Sequence, residues 1–143
     1  ILIGKKGWDY QDILYQIESS QCKGDIKHLD YVSDELVAIF YSQAEAFIYP
    51  SFYEGFGLPV LEAMTLGSPV ITSNTSSLPE VAGDAALYID PNNYYELAEM
   101  MLKVVDNSTL RKEMINKGKT QANKFSWERT AKVTLDIYRS LTA

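Results

Sequence analysis

The chain has 143 residues, 46% of them hydrophobic and 22% charged, with a formal net charge of −6. Those totals suit one soluble globular domain with a sizeable core. The acidic balance argues against a broad nucleic-acid or anionic-membrane surface, and the single cysteine, Cys22, excludes an intrachain disulfide.

Residues 1–4 (ILIG) form a short apolar run ended by glycine, which predicts a buried strand. Tyr10, Ile13, Leu14 and Ile17 follow at helical spacing. Residues 26–32 (IKHLDYV) predict a second strand. Ser33 or Asp34 can cap the next helix, whose apolar positions are Leu36, Val37, Ile39, Phe40 and Ala44. Residues 46–50 (AFIYP) predict a third strand, stopped by proline. Residues 58–67 predict a helix, 69–73 (PVITS) a fourth strand, and LPEVAG a short helical turn. Residues 86–90 (ALYID) make a fifth strand. After Asp90 the pattern is helix only. Tyr94, Leu97, Ala98, Met101, Leu102 and Val105 form one stripe. A more polar helix is expected over 109–123. A last one starts after Ser126, with Trp127, Ala131, Leu135 and Tyr138 on one side, packed on the domain. No apolar run approaches the roughly 20 residues of a membrane span.

Strands that alternate with helices imply right-handed βαβ units and a parallel sheet. Short continuous apolar runs fit a sheet covered on both faces. The expected fold is a doubly wound α/β domain of about five strands. Residues 1–91 supply the sheet region and 92–143 the C-terminal helices. In such sheets ligands bind beyond the C-terminal strand ends. GKKGW, DYVSD, PSFYEGFG, SNTSS and DPNN lie there.

EGFGLPVLE follows the third strand. Gly55 and Gly57 disfavour helix and Pro59 favours a first helical position, so the helix should start at Leu58 or Pro59. Glu54 is then on the loop and Glu62 on the first helical turn. The free N–H groups of residues 55–58 lie between them, at a helix start where glycines permit close approach. A phosphate on those amides, with hydroxyls met by a carboxylate at each end, describes a nucleotide sugar. A plainer alternative needs no ligand: acids near a helix N-terminus stabilise its dipole by about 0.3–1 kcal/mol.

Residues 50–91, PSFYEGFGLPVLEAMTLGSPVITSNTSSLPEVAGDAALYIDP, resemble the signature region of retaining, nucleotide-sugar-dependent glycosyltransferases of the glycogen-synthase and sucrose-synthase type. The likeness covers the E-x7-E pair, the G-x-P-V strand, the S-x-L-P-E-V turn and the D-P after the last strand. It extends more weakly through FSWERTA, and it implies a second role for that last helix, crossing back to an N-terminal domain. It implies a Rossmann-like C-terminal domain of the GT-B fold. It also implies that the parent protein moves a hexose from a UDP- or GDP-sugar to an acceptor hydroxyl in polysaccharide or glycoconjugate synthesis. Glu54 would contact the donor hexose near the reacting carbon, as the catalytic candidate. Backbone amides of Gly55, Phe56, Gly57 and Leu58 would hold sugar and diphosphate. Glu62 would accept from the ribose hydroxyls, and Val32 would meet the base through its backbone.

The family's sheet has six strands, and the first is missing here, with the Arg and Lys that follow it. Lys5 and Lys6 read as solvated rim residues, with approach of Lys6 to the same cleft as the alternative. The resemblance therefore implies an N-terminally truncated domain, inactive by itself. Its acceptor, a sugar or lipid-linked sugar, would be held by an absent N-terminal domain. The gap could close by pairing strand one with strand three, by a strand from another copy in a swapped homo-oligomer, or by a longer chain. No Asp-x-Asp occurs, in keeping with metal-independent chemistry, so neither a cofactor nor a metal site is expected. The lone histidine, His28, reads as a structural residue within a strand. The resemblance implies a cytoplasmic protein, with a peripheral place at the inner face of the plasma membrane as an option that no residue here anchors. A sugar-nucleotide epimerase of the same architecture and a non-catalytic nucleotide- or sugar-binding module are the alternatives.

Overall fold

The computed structural model describes residues 1–141. They divide into two compact units, Ile1–Val37 and a second from Ala38 on. In the first, strand β1 (Leu2–Ile3) is followed by helix α1 (Gln11–Ser19) and strand β2 (His28–Leu29). The two strands pair in parallel, Leu2 opposite His28 and Ile3 opposite Leu29. The second predicted strand thus shrinks from seven residues to two, because only Leu2 and Ile3 stand opposite it. Helix α2 (Asp34–Gln43) starts on Ser33, whose Oγ accepts from the Leu36 N–H at 3.4 Å. Of the two expected caps, Ser33 is the one used.

The second unit orders β3 (Phe47–Tyr49), β4 (Val70–Ser73) and β5 (Ala86–Ile89) as a parallel sheet with β4 in the middle. Helices α3 (Leu58–Thr65) and α4 (Leu78–Ala82) fill the crossovers. Helices α5 (Tyr94–Asp106), α6 (Ser108–Ala122) and α7 (Trp127–Leu141) follow. The α/β architecture with parallel strands is as expected. Among the described residues β1 pairs with β2, and β3 with β4.

All four β4 residues are buried. Successive side chains on a strand point to opposite faces, and β4 feeds two cores. Val70 joins Val60, Ala63, Met64, Leu78 and Val81. Ile71 joins Ile89, Val104 and Met114. This strand is the double-sided burial that its continuous apolar run predicts. At Gly118 an added Cβ would stand 3.2 Å from Met64 Cγ, so the missing side chain lets α6 approach α3. Asn93 and Asn107 cap α5 and α6, accepting from the Glu96 and Leu110 N–H groups at 3.1 and 2.9 Å. The Arg111 guanidinium donates to the Val104 carbonyl at the end of α5 and pairs with Glu45 at 2.8 Å.

Three expectations about burial need correction. β1 is exposed rather than buried, because no residue of α1 is buried and the first unit offers it no cover. On α5 the inward face is Leu97, Met100 and Val104, not the full predicted stripe; Tyr94, Met101, Leu102 and Val105 face water. That stripe also fits the helical period, but β4 and β5 select the face rotated toward them. Along α7 every described residue is exposed, Trp127 and Tyr138 included, so this helix buries no side chain against the domain. No described helix is long and apolar enough to cross a membrane.

Candidate functional site

Strand β3 ends at Tyr49, and residues 50–57 loop to α3. Gly57 turns the loop into the helix at φ 101° and ψ 44°, a left-handed conformation that favours glycine. An added Cβ there would also meet Leu78 Cδ2 at 2.8 Å. Leu58 is the first helical residue and Pro59 the second. Glu62 is therefore fifth, one residue beyond the first turn where it was expected.

That offset weakens the dipole explanation of the acids, since the helix end acts mainly within its first turn. Glu54 lies before the turn altogether, and side chains hold it. The Tyr49 hydroxyl donates to Glu54 Oε1 at 2.7 Å, and the Ser51 hydroxyl donates to the same oxygen at 2.9 Å. Among the described residues Oε2 receives no protein hydrogen bond. The N–H groups of Gly55, Phe56, Gly57 and Leu58 donate to no described protein acceptor either. A half-buried carboxylate with one free oxygen thus precedes four free amides.

The two glutamates share an aromatic neighbourhood. Tyr41, Phe47 and Tyr49 form a row, with ring centroids 5.0 and 5.7 Å apart. Burial, then the Glu62 charge, pushes the Tyr41 hydroxyl up to about 12. Burial also raises Tyr49, helped by its bond to Glu54 and more weakly by Glu62. Tyr49 therefore feels both carboxylates.

The loop after β4 braces this segment. Thr75 Oγ1 donates to the Phe52 carbonyl at 3.1 Å. Ser76 Oγ accepts from the Glu54 N–H at 3.0 Å. Ser77 Oγ donates to the Glu54 and Phe56 carbonyls, both at 3.0 Å. Phe56 meets Phe125 edge-on at 5.9 Å between centroids.

The profile of Glycosyl transferases group 1 matches residues 1–121. The chain belongs to this family. It is 44% identical over 142 residues to O-antigen chain mannosyltransferase B of Escherichia coli, covering 99% of this chain and 37% of that protein. It is 37% identical over 108 residues to the serotype-specific mannosyltransferase WbdA of Escherichia coli, covering 76% of this chain and 13% of that protein. A solved structure of sucrose-phosphate synthase from Thermosynechococcus elongatus superposes with a TM-score of 0.87 at 25% identity, over 99% of this chain and 38% of that one. The fold is thus that of a GT-B glycosyltransferase C-terminal domain, and this chain spans well under half the length of these relatives.

In this Glycosyl transferases group 1 chain, Glu54 through Leu58 and Glu62 all lie on one loop-and-helix segment of the second unit. Val32 lies in the first unit, half-buried, and its backbone N–H and carbonyl meet no described protein partner. His28 Nε2 lies 3.0 Å from the Gly4 carbonyl, tying β2 to the end of β1. Among the described residues no three His, Cys, Asp or Glu side chains cluster as a metal site. The sequence puts Tyr49 at the end of a strand and SNTSS on the ligand edge, and neither carries a task there. The hint is the density of hydroxyls in SNTSS, four of its five side chains carrying one.

Proposed function

We propose that this chain is the donor-holding part of a longer, retaining transferase that moves a hexose from a nucleoside diphosphate to an acceptor hydroxyl in surface-polysaccharide synthesis. The observation that carries this reading is the Glu54 carboxylate, fixed through Oε1 and open at Oε2, next to four unpaired amides. Glu54 accepts from hydroxyls of the donor hexose near the reacting carbon. The amides of Gly55, Phe56, Gly57 and Leu58 receive the diphosphate and meet the charge that grows on it as the bond to the sugar breaks. Glu62 accepts from the ribose hydroxyls. The reading needs no resident metal, because amides and helix start supply the positive end. The mannosyltransferase relatives make mannose the first hexose to try.

The test is donor turnover by the full-length protein carrying Glu54→Gln or Glu62→Gln. Glu54→Gln should lower kcat/KM about 100-fold, the scale of a lost charge-assisted contact in the transition state. Glu62→Gln should mainly raise the donor KM, about tenfold. Wild-type kcat/KM in both variants would overturn the assignment. Retention is checked separately, by the anomeric configuration of the product.

A further inference from the structure

We propose that Ser77 is a positioning residue for the donor diphosphate, acting through the backbone of residues 54–57. The inference rests on the donor-site reading above and adds a residue outside the E-x7-E segment. Its basis is peptide geometry. In a trans peptide the C=O and the following N–H point in opposite directions, and no peptide bond here is cis. The Ser77 hydroxyl shares its single proton between the Glu54 and Phe56 carbonyls, each at 3.0 Å. Both carbonyls therefore point at one atom. The N–H groups of Gly55 and Gly57, each on the far end of one of those peptides, must then point away from Ser77, to the same side of the loop. Those are two of the four amides without a protein acceptor.

The neighbouring serine does the complementary thing. Ser76 Oγ takes up the Glu54 N–H, which removes that donor from the free set. Together the two hydroxyls set three N–H groups of the loop: that of Glu54 is spent on the protein, and those of Gly55 and Gly57 are left for an anion. Gly55 and Gly57 cannot impose this orientation by themselves, since glycine has the widest choice of backbone conformations. An anion at the amides would otherwise bear the cost of ordering them.

The experiment uses the full-length protein with Ser77→Ala, Ser77→Thr and, as a control on the site itself, Glu54→Gln. UDP and GDP are the probes, with uridine and guanosine as phosphate-free comparators, and melting temperature is followed in parallel. Ser77→Ala should weaken the preferred diphosphate about tenfold, the scale of a lost charge-assisted hydrogen bond, and leave its nucleoside unchanged. Ser77→Thr keeps the hydroxyl and should restore most of the affinity. Should Ser77→Ala not fold, Ser77→Cys retains a weaker donor in similar volume and should give an intermediate loss confined to the diphosphate. Equal loss for diphosphate and nucleoside, or a lower melting temperature with diphosphate affinity intact, overturns the proposal. If Glu54→Gln abolishes transfer while Ser77→Ala leaves diphosphate binding intact, only the positioning role falls. If Glu54→Gln leaves transfer intact, the site reading falls and this inference with it.

Discussion

The two units share one sequence grammar and differ in what it achieves. Both alternate short apolar strands with helices. In the second, β4 is buried at every residue and lies between two apolar clusters. In the first, Leu2 and Ile3 are each 43% exposed and no residue of α1 is buried. A strand's apolar run states a demand for cover, and elements packed on both faces must meet it. A unit of 37 residues is below the size at which a chain readily supplies its own core. The first unit therefore gains little from its hydrophobic side chains, whereas the second draws its stability from them.

Paired truncations test that contrast most sharply. Met64, 1% exposed, packs in the core of the second unit. Met64→Ala should cost about 2–5 kcal/mol, the usual range for a buried large-to-small change. Leu2→Ala should cost below about 1 kcal/mol, since a half-exposed side chain has little burial to lose. Urea unfolding of the two variants, monitored globally, reads the difference. Equal losses would mean that β1 is as well covered as β4.

Gly57→Ala probes the turn on which the site depends. Its cost should be about 1–3 kcal/mol, from a positive φ forced on a side chain and from the 2.8 Å approach to Leu78. Thermal unfolding checks the stability. Since Leu78 lies in the same core as Met64, the double variant Gly57→Ala, Met64→Ala should deviate from additivity. Strict additivity would separate the turn from the core and weaken the view that the second unit's packing holds the site.

Much of this was legible beforehand, and the reasons differ by feature. β4 was clear in PVITS because a fully covered strand needs no alternation. The turn was clear because Gly55, Gly57 and Pro59 each limit the backbone in a known way. The braces were hidden. Ser77 reaches Glu54 and Phe56 across 23 and 21 residues, and no local period encodes a contact between two crossover loops. The inward face of α5 was misjudged for a related reason. Tyr94, Met101 and Leu102 fit a helical stripe as well as Met100 and Val104 do, and only the sheet decides between them. The exposure of α7 has the same origin: amphipathic spacing names a face and does not name its partner.

The smallest effect concerns Tyr41, half-buried in the second unit near Glu62. The tyrosines Tyr15 and Tyr31 of the first unit stand 70% and 78% exposed and offer the contrast. The Tyr41 hydroxyl titrates at about 12 when folded, against an ordinary 10.0. A raised value means that the folded state keeps the proton after the unfolded state has released it. This contribution to stability is therefore fully present below pH 10 and is lost as the pH rises toward about 12. Tyr49 and Tyr88 are raised by burial as well and act in the same direction. Tyr41→Phe should then flatten, without abolishing, the alkaline fall of the urea midpoint. Glu62→Gln should flatten it less, because the carboxylate ranks behind burial as a cause. If Tyr41→Phe left the slope unchanged, burial would not be what raises this hydroxyl.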